Sequence, residues 1–163
     1  MRNSSLLLLG GMIALPVGAA NAAGTVSIAI PQLKVAEYHR PYMAVWLEPV
    51  GGGAIQTLAV WYDVKKGGNE PGTKWLSDLR AWWRKGGKSL DLPANGVSGA
   101  TKAPGTYTLA LPANLKPGAY TLNVEAARET GGREVVSVPI AVPAKAASAS
   151  GKTELGAVTL SAR

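Results

Sequence analysis

The chain has no cysteine, no phenylalanine and one histidine, and it sets only 10 acidic residues against 17 lysines and arginines in 163 residues. Without cysteine it forms no disulfide, no disulfide-linked partner, no iron–sulfur cluster and no thiol nucleophile. With His39 alone, a multi-histidine metal site is excluded and a catalytic triad has a single candidate base. In the setting EYHRPY, that histidine reads as a surface or strand-edge residue. The acids are mostly isolated and lack calcium-loop spacing, and no glycine-rich phosphate loop ends in Lys-Ser or Lys-Thr. Hydrolase and metalloenzyme chemistry therefore have few residues to stand on.

Long hydrophobic runs are also scarce. Met1-Arg2 supplies a positive start, residues 6–15 an apolar run, and Ala20-Asn21-Ala22 a small-residue cleavage pattern. This is the pattern of a secretory signal peptide over residues 1–23, cut short by Pro16 before it could span a bilayer. Cleavage after Ala23 would leave 140 of the 163 residues, enough for one domain, and would reduce the formal charge from +7 to +6 because Arg2 departs. Export to the periplasm makes nucleic acid a poor partner for this basic balance, which reads mostly as solubility.

What is present reads as strands and turns. The segment 26–30 alternates weakly; 42–50 and 54–64 are apolar runs joined by Gly51-Gly52-Gly53, a hairpin signature. Runs at 106–111, 119–127 and 133–142 follow at the spacing of a meander or sandwich. In the second of these, Tyr120, Leu122, Val124 and Ala126 alternate with Thr121, Asn123 and Glu125, which predicts one buried and one wet face. Residues 143–152, rich in Ala and Ser, read as a mobile linker, and residues 153–163 as an edge strand or a disordered tail. The architecture expected for residues 24–142 is mainly β, an immunoglobulin-like antiparallel β-sandwich with one short amphipathic helix.

That helix is predicted over residues 74–85. Trp75, Leu76, Leu79, Trp82 and Trp83 fall on one stripe, and Gly86-Gly87 supply a stop. With no phenylalanine, five tryptophans must fill the core; Trp46, Trp61, Trp75 and Trp82 are expected inside. Trp83 cannot fully share a direction with its neighbour, so it is the candidate for a partly exposed stacking surface.

Residues 95–101, NGVSGAT, read locally as a turn. Ser98-Gly99-Ala100-Thr101 also resembles the recognition motif of flavin transferases, exported magnesium-dependent enzymes that join FMN through its phosphate to a threonine hydroxyl. An acceptor needs an exposed loop with small neighbours, and Lys102 can offset phosphate charge. Where that motif usually carries an aspartate, this chain has Asn95.

Further segments, HRPYMAVWLE at 39–48, KWLSDLRAWWRK at 74–85, GVSGATKAPGTY at 96–107 and YTLNVEAARETGGRE at 120–134, extend the likeness. Together they resemble a family of periplasmic bacterial proteins known only as domain of unknown function 2271. The resemblance implies association with PepSY-type membrane proteins and flavin transferases, hence a part in extracytosolic electron transfer. On that reading the protein is a carrier rather than an enzyme. It would hold covalent FMN on Thr101, with Trp83 or Tyr107 stacking on the ring and Arg84 or Lys85 favouring the reduced anion. The alternative is a non-catalytic interaction module without cofactor, presenting Arg80, Arg84, Lys85 and Lys88 to a membrane partner.

Overall fold

A computed structural model describes residues 23–64 and 71–162. The expected signal peptide, residues 1–23, lies outside these apart from Ala23. Described strands are β1 (Thr25–Ile30), β2 (Tyr42–Pro49), β3 (Gln56–Tyr62), β4 (Ser98–Ala100), β5 (Gly105–Ala110), β6 (Gly118–Ala127), β7 (Arg133–Val142), β8 (Ala147–Ser150) and β9 (Ala157–Ser161). They form a four-stranded sheet in the order β5-β1-β9-β8 and a five-stranded sheet in the order β4-β3-β2-β6-β7. All neighbours are antiparallel except β3 and β4, which run parallel. The protein is thus the expected mainly-β sandwich, with the predicted β2–β3 hairpin in place.

Period-two alternation builds the space between the sheets. Val26, Ile28, Val45, Leu122, Val124, Val138, Val158 and Leu160 meet there, all with 0% exposure. Trp61 and Met43 join them. A second core lies on the opposite side of the five-stranded sheet, where Ala44, Trp46, Val60 and Tyr62 pack against Leu76, Leu79 and Trp82. β2 and β3 are therefore covered on both faces, which is why their sequences are apolar runs rather than alternations.

The roof over this second core departs from the predicted single helix. Gly72–Asp78 is a 3-10 segment, Leu79 breaks the helical path at φ −76°, ψ 68°, and α1 occupies only Arg80–Lys85. Ser77 and Asp78 are residues whose side chains favour turns over helix interiors. The break spoils the continuous stripe: Leu76, Leu79 and Trp82 turn inward, while Trp75, expected in the core, is 38% exposed. The predicted stop holds at Gly86, whose φ of 152° is open to glycine and whose N–H donates to the Trp82 carbonyl.

Two further expectations fail in the same physical way. The wet face of β6 is buried: Asn123 is 6% and Glu125 0% exposed, because α1 and β7 cover them. The stretch 143–152 contains β8, and residues 157–161 form β9, an interior strand between β1 and β8 rather than an edge or tail. Glu134 of β7 fastens this end, accepting backbone N–H bonds from Lys152, Thr153, Glu154 and Leu155. Small side chains hid the alternation of β8, where Ala147 and Ala149 pack on the core while Ser148 and Ser150 are exposed.

Candidate functional site

The starts of β2 and β7 and the ends of β3, β4 and β6 gather at one end of the five-stranded sheet. There, a cleft of about 760 Å³ is bounded by Tyr38, His39 and Arg40 before β2, Asp63 after β3, and Trp75, Asp78 and Arg80 of the roof. Thr101, directly after β4, and the turn 127–133 between β6 and β7 complete it.

Two buried carboxylates hold the arginines Arg128 and Arg133 that line the cleft. Glu125 accepts from the backbone N–H groups of Ala81 (3.1 Å) and Trp82 (2.8 Å) and from Arg133 Nε (2.6 Å). No side chain next to α1 caps it, so this carboxylate from β6 performs the capping. Arg128 forms a fork to Glu154 at 2.9 and 3.1 Å, with 7% and 5% of the two side chains exposed, and the Gly132 N–H joins at 3.0 Å. The hydrogen bonds that Arg128 donates to Glu154 hold its guanidinium above its ordinary pKa.

The walls are aromatic. Burial pushes Tyr42 up to about 12, with Asp63 alongside, and its hydroxyl donates to the Gly72 carbonyl at 3.1 Å. Burial also raises Tyr38, whose hydroxyl oxygen is enclosed without a hydrogen bond among the described residues. Lys74 Nζ lies 4.9 Å from the Trp75 ring centroid. His39 bonds Glu37 at 2.9 Å and approaches Glu129 at 3.9 Å, tying the loop before β2 to the β6–β7 turn. Arg40 and Arg80 are exposed.

Of the residues expected to hold the cofactor, Ser98, Gly99, Ala100, Thr101, Lys102 and Trp83, only Thr101 lines the cleft, beside His39, Trp75 and Arg80, to which the sequence had given other roles. Thr101 is half-buried, and its hydroxyl makes no hydrogen bond among the described residues. The preceding Ser98-Gly99-Ala100 is not a loop but edge strand β4, paired in register with Val60, Trp61 and Tyr62. Ser98 Oγ accepts from the Ala94 N–H at 3.0 Å and closes the turn before the strand. Gly99 packs closely on Trp61, where an added Cβ would lie 3.0 Å from Cδ1 and the indole would have to shift by a few tenths of an ångström. Ala100 is exposed.

The other expected contributors point elsewhere. Lys102 Nζ lies 5.4 and 5.7 Å from the ring centroids of Trp61 and Tyr107, which meet edge to face at 5.8 Å. Tyr107 spends its hydroxyl on the Ala103 carbonyl. Trp83 packs tilted on Trp82 at 6.2 Å, and Lys85 pairs with Glu48. None of these lines the cleft, and neither does Arg84. Trp75, Arg40 and Arg80 stand in their places. Nothing in the local sequence announced this, because Arg40 comes from the loop before β2 while Trp75 and Arg80 lie on either side of the break at Leu79.

An aromatic surface and two exposed arginines can receive a planar aromatic group that carries negative charge. Asp63, Asp78 and Glu129 share the lining and keep the cleft from being strongly cationic. Fold and site together define a mainly-β two-sheet sandwich with one roofed face and an end-on cleft. The chain belongs to the family described as Predicted periplasmic protein (DUF2271), whose model matches residues 23–157. No curated protein and no solved structure matches it.

Proposed function

We propose that this protein is an exported accessory of a flavin-based extracytosolic electron-transfer system and carries FMN esterified to Thr101. The observation that supports this best is the position of Thr101: a hydroxyl without a hydrogen bond among the described residues, lining the cleft immediately after a strand that holds its backbone steady. Loading joins Thr101 Oγ1 to the phosphorus of FMN. The phosphoanhydride bond of the donor breaks, AMP leaves if the donor is FAD, and the hydroxyl proton passes to a base of the transferring enzyme or to water. The bound flavin would supply one- and two-electron redox chemistry.

The chain's own part is to bind and orient. Trp75 offers a surface for the ring, Arg40 and Arg80 oppose its negative charge, and Ala100 leaves room for the transferring enzyme. The partners on this reading are a flavin transferase and a PepSY-type membrane protein. Co-expression with a flavin transferase should add one FMN to the intact mass and give in-gel flavin fluorescence, both lost in Thr101→Ala. Trp75→Leu should keep the added mass and brighten the flavin several-fold, because a stacked indole quenches it. An unmodified mass under conditions that label a control acceptor would overturn the carrier reading. It would favour the cofactor-free interaction module, for which the exposed Arg80, Arg84 and Lys88 on the roof are the binding side.

A further inference from the structure

The outer face of the four-stranded sheet has no part in the cleft. Its strands contain no charged residue at all, in a chain of formal charge +7. Alternation sends Val26, Ile28, Val158 and Leu160 inward and leaves only threonine, serine and alanine outward. The pairings Thr108↔Ser27, Ser27↔Thr159 and Thr159↔Ser148 align four hydroxyl side chains in one row across all four strands. Exposed protein surfaces ordinarily mix charges of both signs, which keeps copies apart.

We infer that this face is a self-association surface on which a second copy of the chain docks face to face. Two copies of the same positive charge repel where their cations meet, and here they approach without opposing like charges. A twofold contact sets a patch against itself, so each group must be able to meet its own kind. Hydroxyls satisfy this because each donates and accepts, whereas rows of ammonium or carboxylate groups do not. No outward side chain is larger than threonine, so two sheets can close to the usual spacing of about 10 Å.

The size of the face sets the strength of the contact. Four strands of four to six residues span on the order of 20 by 20 Å. That is roughly 400 Å² per copy, half of the ~800 Å² per partner of a standard stable interface, so the dimer forms only at high concentration.

Sedimentation velocity and small-angle scattering on the exported protein, from about 10 μM to about 1 mM, test this. The dimer fraction should rise with concentration and rise again with moderate salt, which screens the net charge. Thr108→Lys and Ser148→Lys are exposed substitutions at the two ends of the hydroxyl row and should each weaken association about tenfold or more. Ser77→Lys adds the same charge to the roof and should associate like the wild type. Melting temperatures close to wild type establish that each variant is folded. A monomer at every concentration overturns the inference, as does a dimer that survives both row variants or one equally weakened by Ser77→Lys.

Discussion

Among the described residues no element covers the outward face of the four-stranded sheet, while that of the five-stranded sheet is roofed by the 3-10 segment and α1 and encloses a carboxylate at 0% exposure. The bare face has no charge and needs none, since every hydroxyl on it can turn to water. The roofed face needs Glu125, because a six-residue helix laid on a sheet brings unpaired N–H groups into the interior and the sheet must answer them. The same carboxylate holds Arg133 beside the cleft. A sheet face can thus be finished by small side chains and solvent, or by a covering element and a buried charge network. Only the second way creates a cleft.

The sharpest break of this comparison is Glu125→Ala. It strands Arg133 and two helix N–H groups together, and denaturant unfolding should show a loss of about 3–5 kcal/mol with the roof lost first. Hydrogen exchange at Ala81 and Trp82 should accelerate more than at Val26 or Ile28, which lie between the sheets. An equal acceleration everywhere would mean that the roof is not a separate layer.

Glu134 tests the seam where the C-terminal strands of the bare sheet attach to β7. Burial opposes its charged form, but the four backbone N–H bonds from residues 152–155 outweigh that and hold the carboxyl below its ordinary pKa. A carboxyl whose pKa falls on folding stabilises the protein above its unfolded value, and this contribution disappears as pH drops through the folded value. Glu134→Gln should therefore cost about 1–3 kcal/mol at pH 7. The gap between variant and wild type should close below about pH 4. A gap that stays constant into acid would place the stabilisation in the shape of the side chain rather than its charge.

The smallest effect is expected on the bare face. Thr108→Lys is exposed and has no partner to lose there, so its stability measured in dilute solution should remain within about 0.5 kcal/mol of wild type. A larger loss would mean that this face is more tightly constrained than its exposure indicates.

Much of the sandwich was legible because period-two patterns are local. Arg133–Val142 and the hairpin of β2 and β3 follow directly from runs of alternating or apolar residues. β8 was not legible, since alanine and serine alternate with too little contrast in hydrophobicity to distinguish a strand from a linker. The roof was half legible: its apolar stripe marked an element that packs, but the turn at Leu79 that sends Trp75 to the cleft cannot be seen in a stripe that fits an unbroken helix. At the site, Thr101 was found from its motif, whereas Trp75, Arg40 and Arg80 were not, because their proximity to it depends on chain paths and not on spacing.

Residue order alone determined where the longer strands β2, β3, β6 and β7 run, that the core would rest on tryptophan and aliphatic packing without disulfides, and which hydroxyl stands at the end of the motif. Tertiary structure decided which sheet face is covered, that Glu125 serves as a cap for a helix 43 residues away, and which aromatic ring shares a cleft with Thr101. The physical reason is range: alternation and turn chemistry act between neighbours in the chain, while burial and ion pairing depend on what another part of the chain lays against them.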